Sequence, residues 1–113
     1  MNTTDLTINE LVKQSHETAV EKGWWETDRN FLEQIMLMVT ELSEVVEEYR
    51  HGKDPSEVYV QAGKPEGIPV EFADVLIRIA DTCGKYGIPL EAALQVKLKY
   101  NKTRSYRHGN KRA

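Results

Sequence analysis

The strongest constraint on the fold lies between residues 31 and 49, where apolar side chains recur at every third or fourth position. These positions are Phe31, Ile35, Met38, Leu42, Val45 and Tyr49. Such spacing places all of them on one side of an α-helix. Asn30 is a suitable N-cap and Gly52 a suitable stop, so the sequence predicts a helix up to Arg50 that is the longest in the protein.

Cap residues and prolines predict three more helices. Residues 7–10 have the spacing of a capping box, and two prolines suit the first turn of a helix because they lack an N–H group. Leu90, Leu94 and Leu98 share one side of the last helix. The four predicted helices run from Ile8 to about Lys22, from Phe31 to Arg50, from Pro69 to about Tyr86 and from Pro89 to about Arg104.

The sequence therefore predicts one all-α, four-helix bundle-like domain over residues 1–113, with a basic and extended tail from about residue 105. Residues 53–67 carry prolines and glycines and form the main loop, in which residues 58–60 could be a short extended piece. Apolar residues lie on more than one face of the second and third helices. We therefore expect self-association, as a dimer or as a tetramer built from two dimers.

The single cysteine and the hydropathy of the chain bear on its cellular location. The chain has one cysteine, Cys83, which excludes an internal disulfide or a thiolate metal site and is expected to fill the core. The N-terminus lacks a basic start with an apolar core, and no apolar run approaches the ~20 residues of a membrane span. These features predict a cytoplasmic protein without a membrane partner.

Charge is sorted along the chain. The net charge is −3, yet all the acidic residues lie before residue 97, and residues 97–113 are basic without any acid. This division favours either a basic arm that binds a polyanion or one site in which acidic residues hold cations and basic residues hold phosphate.

Two pairs of acidic residues have the spacing expected for one face of a helix. They are Glu41 with Glu44 and Glu71 with Asp74. Two helices that are joined by a loop and packed antiparallel can bring both pairs together. Their repulsion would be relieved by solvation or by a divalent cation, and hard oxygen ligands without His or Cys favour Mg²⁺. Mn²⁺ is the expected substitute ion.

A solvated face is the competing interpretation of acidic residues at helical spacing. Glu47, Glu48 and Glu57 are expected to belong to such a face. The two pairs differ because they interrupt apolar sequence on both helices. The residues alone leave a metal site and a solvated face equally favoured.

The spacing Glu41-Leu-Ser-Glu44, then 26 residues, then Glu71-Phe-Ala-Asp74 resembles the ExxE…ExxD signature of the MazG-like all-α nucleoside triphosphate pyrophosphohydrolases. The similarity covers about residues 24–111. It implies that the four acids are catalytic residues that bind Mg²⁺, and that an activated water splits the α–β phosphoanhydride into a nucleoside monophosphate and pyrophosphate. Many members have a glutamate where this chain has Thr40, and Glu47 or Glu48 could replace it.

Candidate substrate ligands come from the fourth helix and from the first junction. Lys97, Asn101 and Arg104 share one polar and cationic face that suits phosphate oxygens, and the similarity extends through these residues to His108-Gly109. Trp24 and Trp25 should point in different directions, so that one can stack on a base. A solvated basic face and a core role for both tryptophans are the competing interpretations. His16 and His51 are expected to be surface or capping residues.

The resulting function is a magnesium-dependent hydrolase of nucleoside triphosphates, weakly favouring deoxynucleotides, that removes unwanted nucleotides from the pool. The alternative is a non-catalytic helical oligomer whose basic tail binds nucleic acid. The tail lacks the interleaved glycines or aromatics of RNA-binding segments, and the acidic body would repel a polyanion. We therefore expect no nucleic-acid partner.

Overall fold

A computed structural model describes residues 6–27 and 29–112, with the side chains of His108 and Asn110 excepted. In chain order the elements are α1 (Ile8–Glu21), α2 (Phe31–Arg50), β1 (Tyr59–Gln61), β2 (Lys64–Glu66), α3 (Ile68–Tyr86), α4 (Leu90–Thr103) and α5 (Arg107–Asn110). The predicted domain over residues 1–113 therefore extends beyond the described residues. The side chain of His108, which belongs to the similar C-terminal motif, also lies outside them. The protein is mostly helical, as predicted.

The predicted helix ends are confirmed by their caps. Thr7 Oγ1 accepts a hydrogen bond from the Glu10 N–H group at 3.1 Å, and Asn30 Oδ1 accepts one from the Leu32 N–H group at 2.7 Å. Gly87 adopts a left-handed conformation with φ of 64° and ends α3. With 20 residues, α2 is the longest helix. Local signals thus located every long helix to within one or two residues.

The loop and the tail differ from their predicted structures. Strands β1 and β2 pair antiparallel around the Ala62-Gly63 turn, in which both residues have positive φ, as a tight two-residue hairpin requires. Tyr59 and Val60, two of the three residues of the predicted extended piece, lie in β1. The extended tail was a wrong prediction, because Lys111 N–H donates to Arg107 O and closes one helical turn.

Helix α3 lies at the centre of the fold, and both α1 and α2 pack against it. The buried apolar residues are Ala19, Ile68, Val75, Ala80 and Cys83. Cys83 fills the core as predicted, and its burial raises the pKa of its thiol. A Cβ atom at Gly84 would lie 2.6 Å from the Cβ atom of His16, so glycine lets α1 approach α3 closely.

Helix α4 packs against α1 and contributes no buried residue. The accessible surface of the chain is 8772 Å², whereas a compact protein of this mass exposes about 6,300 Å². The radius of gyration is 16.6 Å, compared with about 13 Å for a compact chain of this length. The fourth helix is therefore present but extends from the packed body. None of the described helices combines the length and apolar character needed to cross a membrane.

Candidate active site

Three of the four predicted metal ligands converge between α2 and α3. One carboxylate oxygen from each of Glu41, Glu71 and Asp74 lies within 4.8 Å of the other two. Glu71 and Asp74 are one turn apart on α3, and the antiparallel neighbour α2 brings Glu41 to them. We call these three residues the acidic cluster.

Glu44 does not belong to the acidic cluster. Its side chain is exposed, although its negative charge contributes to the raised pKa of Glu71. The spacing of three residues separates Glu41 and Glu44 by about 60° around α2. Of this pair, Glu41 alone has a carboxylate oxygen within 4.8 Å of those of Glu71 and Asp74.

A second group shares Glu71 with the acidic cluster. Oxygens of Glu48, Glu66 and Glu71 also lie within 4.8 Å of one another. The Tyr59 hydroxyl donates to Glu48, with distances of 3.0 and 3.1 Å to its two oxygens. The expectation that Glu48 lies on a solvated face was wrong, because the hairpin covers it. The sequence offered no signal for Glu66, which only the pairing of β1 with β2 brings here.

Repulsion and burial raise the pKa of two acids in the cluster. Burial is the larger cause for Glu71, followed by the charge of Asp74 and of Glu41. Burial also leads for Asp74, followed by the charge of Glu41, while Lys64 and Arg78 act in the opposite direction. Without a bound cation these carboxylates are therefore more basic than ordinary ones.

Arg78 supplies the nearest positive charge to the acidic cluster. Its Nε–H donates to Glu41 Oε1 at 2.9 Å, and both side chains are partly buried. A planar guanidinium in this position fixes the orientation of the carboxylate. The second oxygen of Glu41 is left free of this hydrogen bond.

The donor set fits a hard divalent cation. Both acidic groups among the described residues consist of carboxylates alone, without His or Cys. Adjacent oxygen ligands of octahedral Mg²⁺ lie about 3 Å apart and opposite ones about 4.2 Å apart, given metal–oxygen distances of about 2.1 Å. Since at most one pair among three ligands can be opposite, oxygens spread over up to 4.8 Å would have to move closer by up to about 1.8 Å to bind one ion. Glu41, Glu71 and Asp74 could hold the ion.

A cavity of about 510 Å³ opens beside the acidic cluster, between α1 and α2 and over α3. Its lining includes Trp24, Trp25, Gln34, Glu41, Asp74 and Asp81. Two residues of the acidic cluster thus face a cavity with aromatic walls. Its volume is in the range of sites that hold small organic molecules.

Trp25 is locked in place at one wall of the cavity. Its Nε1–H donates to Asp81 Oδ1 at 2.8 Å, and His16 Nδ1 lies 2.9 Å from the same oxygen. Trp24 is 54% exposed, with the Arg29 guanidinium 5.5 Å from its ring centre. The two tryptophans differ in exposure, but both line the cavity, whereas the sequence analysis expected only one of them at an opening.

The prediction that both histidines are surface or capping residues holds for only one of them. The surface or capping role was wrong for His16, because the close approach of α1 to α3 pairs it with Asp81. The same role is confirmed for His51, which is exposed and lies 2.7 Å from the Glu47 carbonyl oxygen at the end of α2.

Gln34 is a polar residue of the cavity wall that the sequence analysis did not identify. It is 6% exposed and is the one buried residue of α2. Its Nε2 atom has no hydrogen-bond partner among the described residues. A buried donor without a partner costs about 1–3 kcal/mol, and its position within an apolar stripe gave no signal in the sequence.

Lys97, Asn101 and Arg104 are not brought to the acidic cluster within one chain. None of the three lines the cavity, and Lys97 and Asn101 are exposed. Lys97 Nζ and the Arg104 guanidinium lie 5.2 and 5.6 Å from the ring centre of Tyr100. The two cationic side chains of this face of α4 therefore lie close to the ring of Tyr100, on the same helix.

Comparison of the chain with models of known families, with curated proteins and with solved structures gave no match.

Proposed function

We propose that this protein is a magnesium-dependent nucleoside triphosphate pyrophosphohydrolase of the MazG-like all-α type. It would cleave the bond between the α and β phosphates, release a nucleoside monophosphate and pyrophosphate, and so control the nucleotide pool. One observation carries the proposal: three carboxylates from two helices converge beside a cavity walled by two tryptophans.

The substrate would extend over two neighbouring regions. The cavity between α1 and α2 would take the base against Trp24 or Trp25, and the phosphates would lie over the acidic cluster. Because Glu41 and Asp74 belong to both regions, a single extended molecule can reach both. When bound, Mg²⁺ would offset the negative charge of acids and phosphates and activate a water for attack. Arg78 would hold Glu41 in its orientation.

We propose further that the active form is a dimer or a pair of dimers. The excess of about 2,400 Å² over the surface of a compact chain is similar in size to the area that one subunit contributes to a large, permanent interface. Since α4 lies away from the acids of its own chain, a second copy would bring Lys97, Asn101 and Arg104 to the phosphates.

A panel of ribonucleoside and deoxyribonucleoside triphosphates tests the proposed activity. We expect pyrophosphate and monophosphate with Mg²⁺ or Mn²⁺, none in chelator, and faster turnover of deoxynucleotides. Glu17→Gln, which changes an exposed acid of α1, is the matched control and should retain full activity. Release of inorganic phosphate and a diphosphate would contradict the proposal, as would turnover that does not depend on the metal.

The exposed cationic residues of α4 favour the second candidate, a helical oligomer that binds nucleic acid. This candidate predicts polynucleotide binding that weakens steeply with salt and depends on any of Lys99, Lys102 and Lys111 alike. It assigns no role to the acidic cluster. Polynucleotide binding together with an inactive protein in the triphosphate panel would support it over the hydrolase.

A further inference from the structure

One face of the β1–β2 hairpin is directed at the acidic residues of α2 and α3. Tyr59 and Glu66 are opposite partners in the hairpin, and Lys64 precedes Glu66 by two residues on β2. Such positions lie on the same face of a sheet. From this face the Tyr59 hydroxyl donates to Glu48, and a carboxylate oxygen of Glu66 lies within 4.8 Å of one of Glu71. The hairpin therefore presents the cation of Lys64 to the acids.

The base of the hairpin is held by its backbone. Gly67 follows β2 directly and has a φ of 119°, and a Cβ atom at this position would collide with the carbonyl oxygen of Glu57. Glycine therefore lets the two ends of the hairpin approach closely. The hydrogen bond from Tyr59 to Glu48 adds a side-chain anchor. Lys64 is thus carried on a frame that is fixed relative to α2 and α3.

Lys64 is less firmly held than Arg78, which also acts on Asp74. The charges of both residues oppose the rise in the pKa of Asp74. Arg78 is engaged, because its Nε–H group donates to Glu41 at 2.9 Å. Lys64 Nζ lies 3.7 Å from Glu66 Oε1, which is too far for a hydrogen bond, and its side chain is 77% exposed. The Lys64 ammonium can therefore turn to a ligand without breaking a hydrogen bond.

The order of residues along α2 indicates which end of the substrate lies near Lys64. Glu41 lines the cavity and belongs to the acidic cluster. Gln34, at the cavity, precedes it by seven residues, and Glu48, beneath the hairpin, follows it by seven, which is about 10.5 Å along the axis in each direction. The cavity and the hairpin thus lie at opposite ends of the acidic cluster. A triphosphate whose base occupies the cavity would extend its terminal phosphates toward the hairpin.

We propose that Lys64 binds the terminal phosphates of the nucleoside triphosphate from the hairpin side of the acidic cluster. A lysine ammonium is a compact point charge that suits phosphate oxygens. The pyrophosphate that leaves consists of these phosphates, so the same cation offsets the negative charge that builds up on the leaving group. Lys64 has no contact with a monophosphate. This inference rests on the proposed function, because that function places the triphosphate over the acidic cluster.

The first experiment measures hydrolysis of deoxynucleoside triphosphates by Lys64→Met, which keeps most of the side-chain length and removes the charge. We expect kcat/KM to fall about ten- to a hundredfold, the loss of one charge-assisted contact. The fall should include kcat, since the charge on the leaving group grows as the bond breaks. Lys64→Arg keeps the charge and should recover most of the loss. Lys13→Met, which changes an exposed lysine of α1, alters the net charge equally and should match the parent.

The second experiment separates this inference from the proposed function. Inorganic pyrophosphate and the deoxynucleoside monophosphates are titrated by calorimetry at saturating Mg²⁺, so that a change in metal affinity does not enter. Lys64→Met should weaken pyrophosphate at least about tenfold and leave the monophosphates within about twofold. An inactive parent that binds pyrophosphate in this Lys64-dependent way would contradict the hydrolase and support the inference. An active parent whose Lys64→Met variant keeps full turnover and pyrophosphate affinity would overturn the inference alone.

A general effect of charge on the acids would give a different pattern. Because Lys64 is exposed and its pair with Glu66 is long, Lys64→Met should melt in chelator at nearly the temperature of the parent. Equal losses for pyrophosphate and monophosphates would overturn the proposal. So would equal losses in Lys64→Met and Lys13→Met, a loss in Lys64→Arg as large as in Lys64→Met, or a parent that binds no pyrophosphate.

Discussion

At the scale of single residues, the negative charge of Asp74 lowers the stability of the folded protein when no metal is bound. The pKa of Asp74 is raised first by burial and then by the charge of Glu41. Its ionised form is therefore disfavoured in the folded protein without metal. Asp74→Asn keeps the volume, removes the charge, and should abolish magnesium-dependent hydrolysis while raising the melting temperature in chelator. Full magnesium-dependent turnover by this variant would remove Asp74 from the site.

The same residue predicts a pH dependence of stability. When the folded pKa exceeds the unfolded value, the folded state binds more protons between the two, so the free energy of unfolding falls as pH rises. The contribution of Asp74, like that of Glu71, is complete below about pH 4 and is lost as pH rises through the raised folded pKa.

The pH prediction is measured as a difference between two proteins. Denaturant unfolding in chelator should show Asp74→Asn gaining stability over the parent as pH rises from about 4 to 7. Adding Mg²⁺ should stabilise the parent and leave the variant little changed. A difference that stays constant over this range would mean that Asp74 does not titrate as the folded structure requires.

At the scale of elements, the contact between α1 and α3 depends on Gly84. Alanine in a helix is ordinarily more stable than glycine by about 1 kcal/mol, but here the new Cβ would lie 2.6 Å from His16 Cβ. Gly84→Ala should therefore lower the free energy of unfolding by about 1–3 kcal/mol. Because the approach of α1 also sets the His16–Asp81 contact, the fluorescence of Trp25 should change.

A second substitution identifies the cause. His16→Gly removes the opposing atoms, so the alanine at position 84 should stabilise the protein in that background. Destabilisation of equal size in both backgrounds would place the strain elsewhere.

Two lysines of α4 allow a substrate-binding role to be distinguished from that of a solvated basic face. Lys97 and Lys102 are both exposed lysines of this helix, yet only Lys97 belongs to the proposed phosphate-binding face. Lys97→Ala should lower kcat/KM about ten- to a hundredfold, the loss expected for one charge-assisted contact, with the melting temperature nearly unchanged. Lys102→Ala should match the parent. Equal activities of the two variants would exclude Lys97 from the site.

At the scale of the whole molecule, the exposed apolar surface predicts an interface. Leu32, Met36 and Val39 on α2 are 70, 60 and 49% exposed, and Phe72 on the neighbouring α3 is 49% exposed. Val39→Lys introduces a residue with a higher helix propensity than valine and should leave the fold of one chain intact. It should nevertheless shift sedimentation from dimer toward monomer, with loss of hydrolysis.

Val20→Lys on α1 is the matched control, since Val20 is 52% exposed on a different helix. It should leave both assembly and activity unchanged. A parent that sediments as a stable, active monomer at micromolar concentration would contradict the interface.

The sequence by itself determined the local structure. Thr7 and Asn30 cap their helices through atoms only two or three residues away, and Gly87 ends α3 through its own backbone conformation. The spacing of Glu71 and Asp74 likewise placed both on one face of α3. These predictions succeeded because each signal and its consequence lie within one turn of helix.

Only the tertiary structure decided which distant residues meet. Glu66 reaches Glu71 because the hairpin folds back, and His16 meets Asp81 because α1 packs closely on α3. Gln34 became a residue of the cavity wall because α1 and α2 both pack on α3 and leave a space between them. Such contacts depend on helix packing summed over the whole chain, and no short-range pattern of residues encodes them.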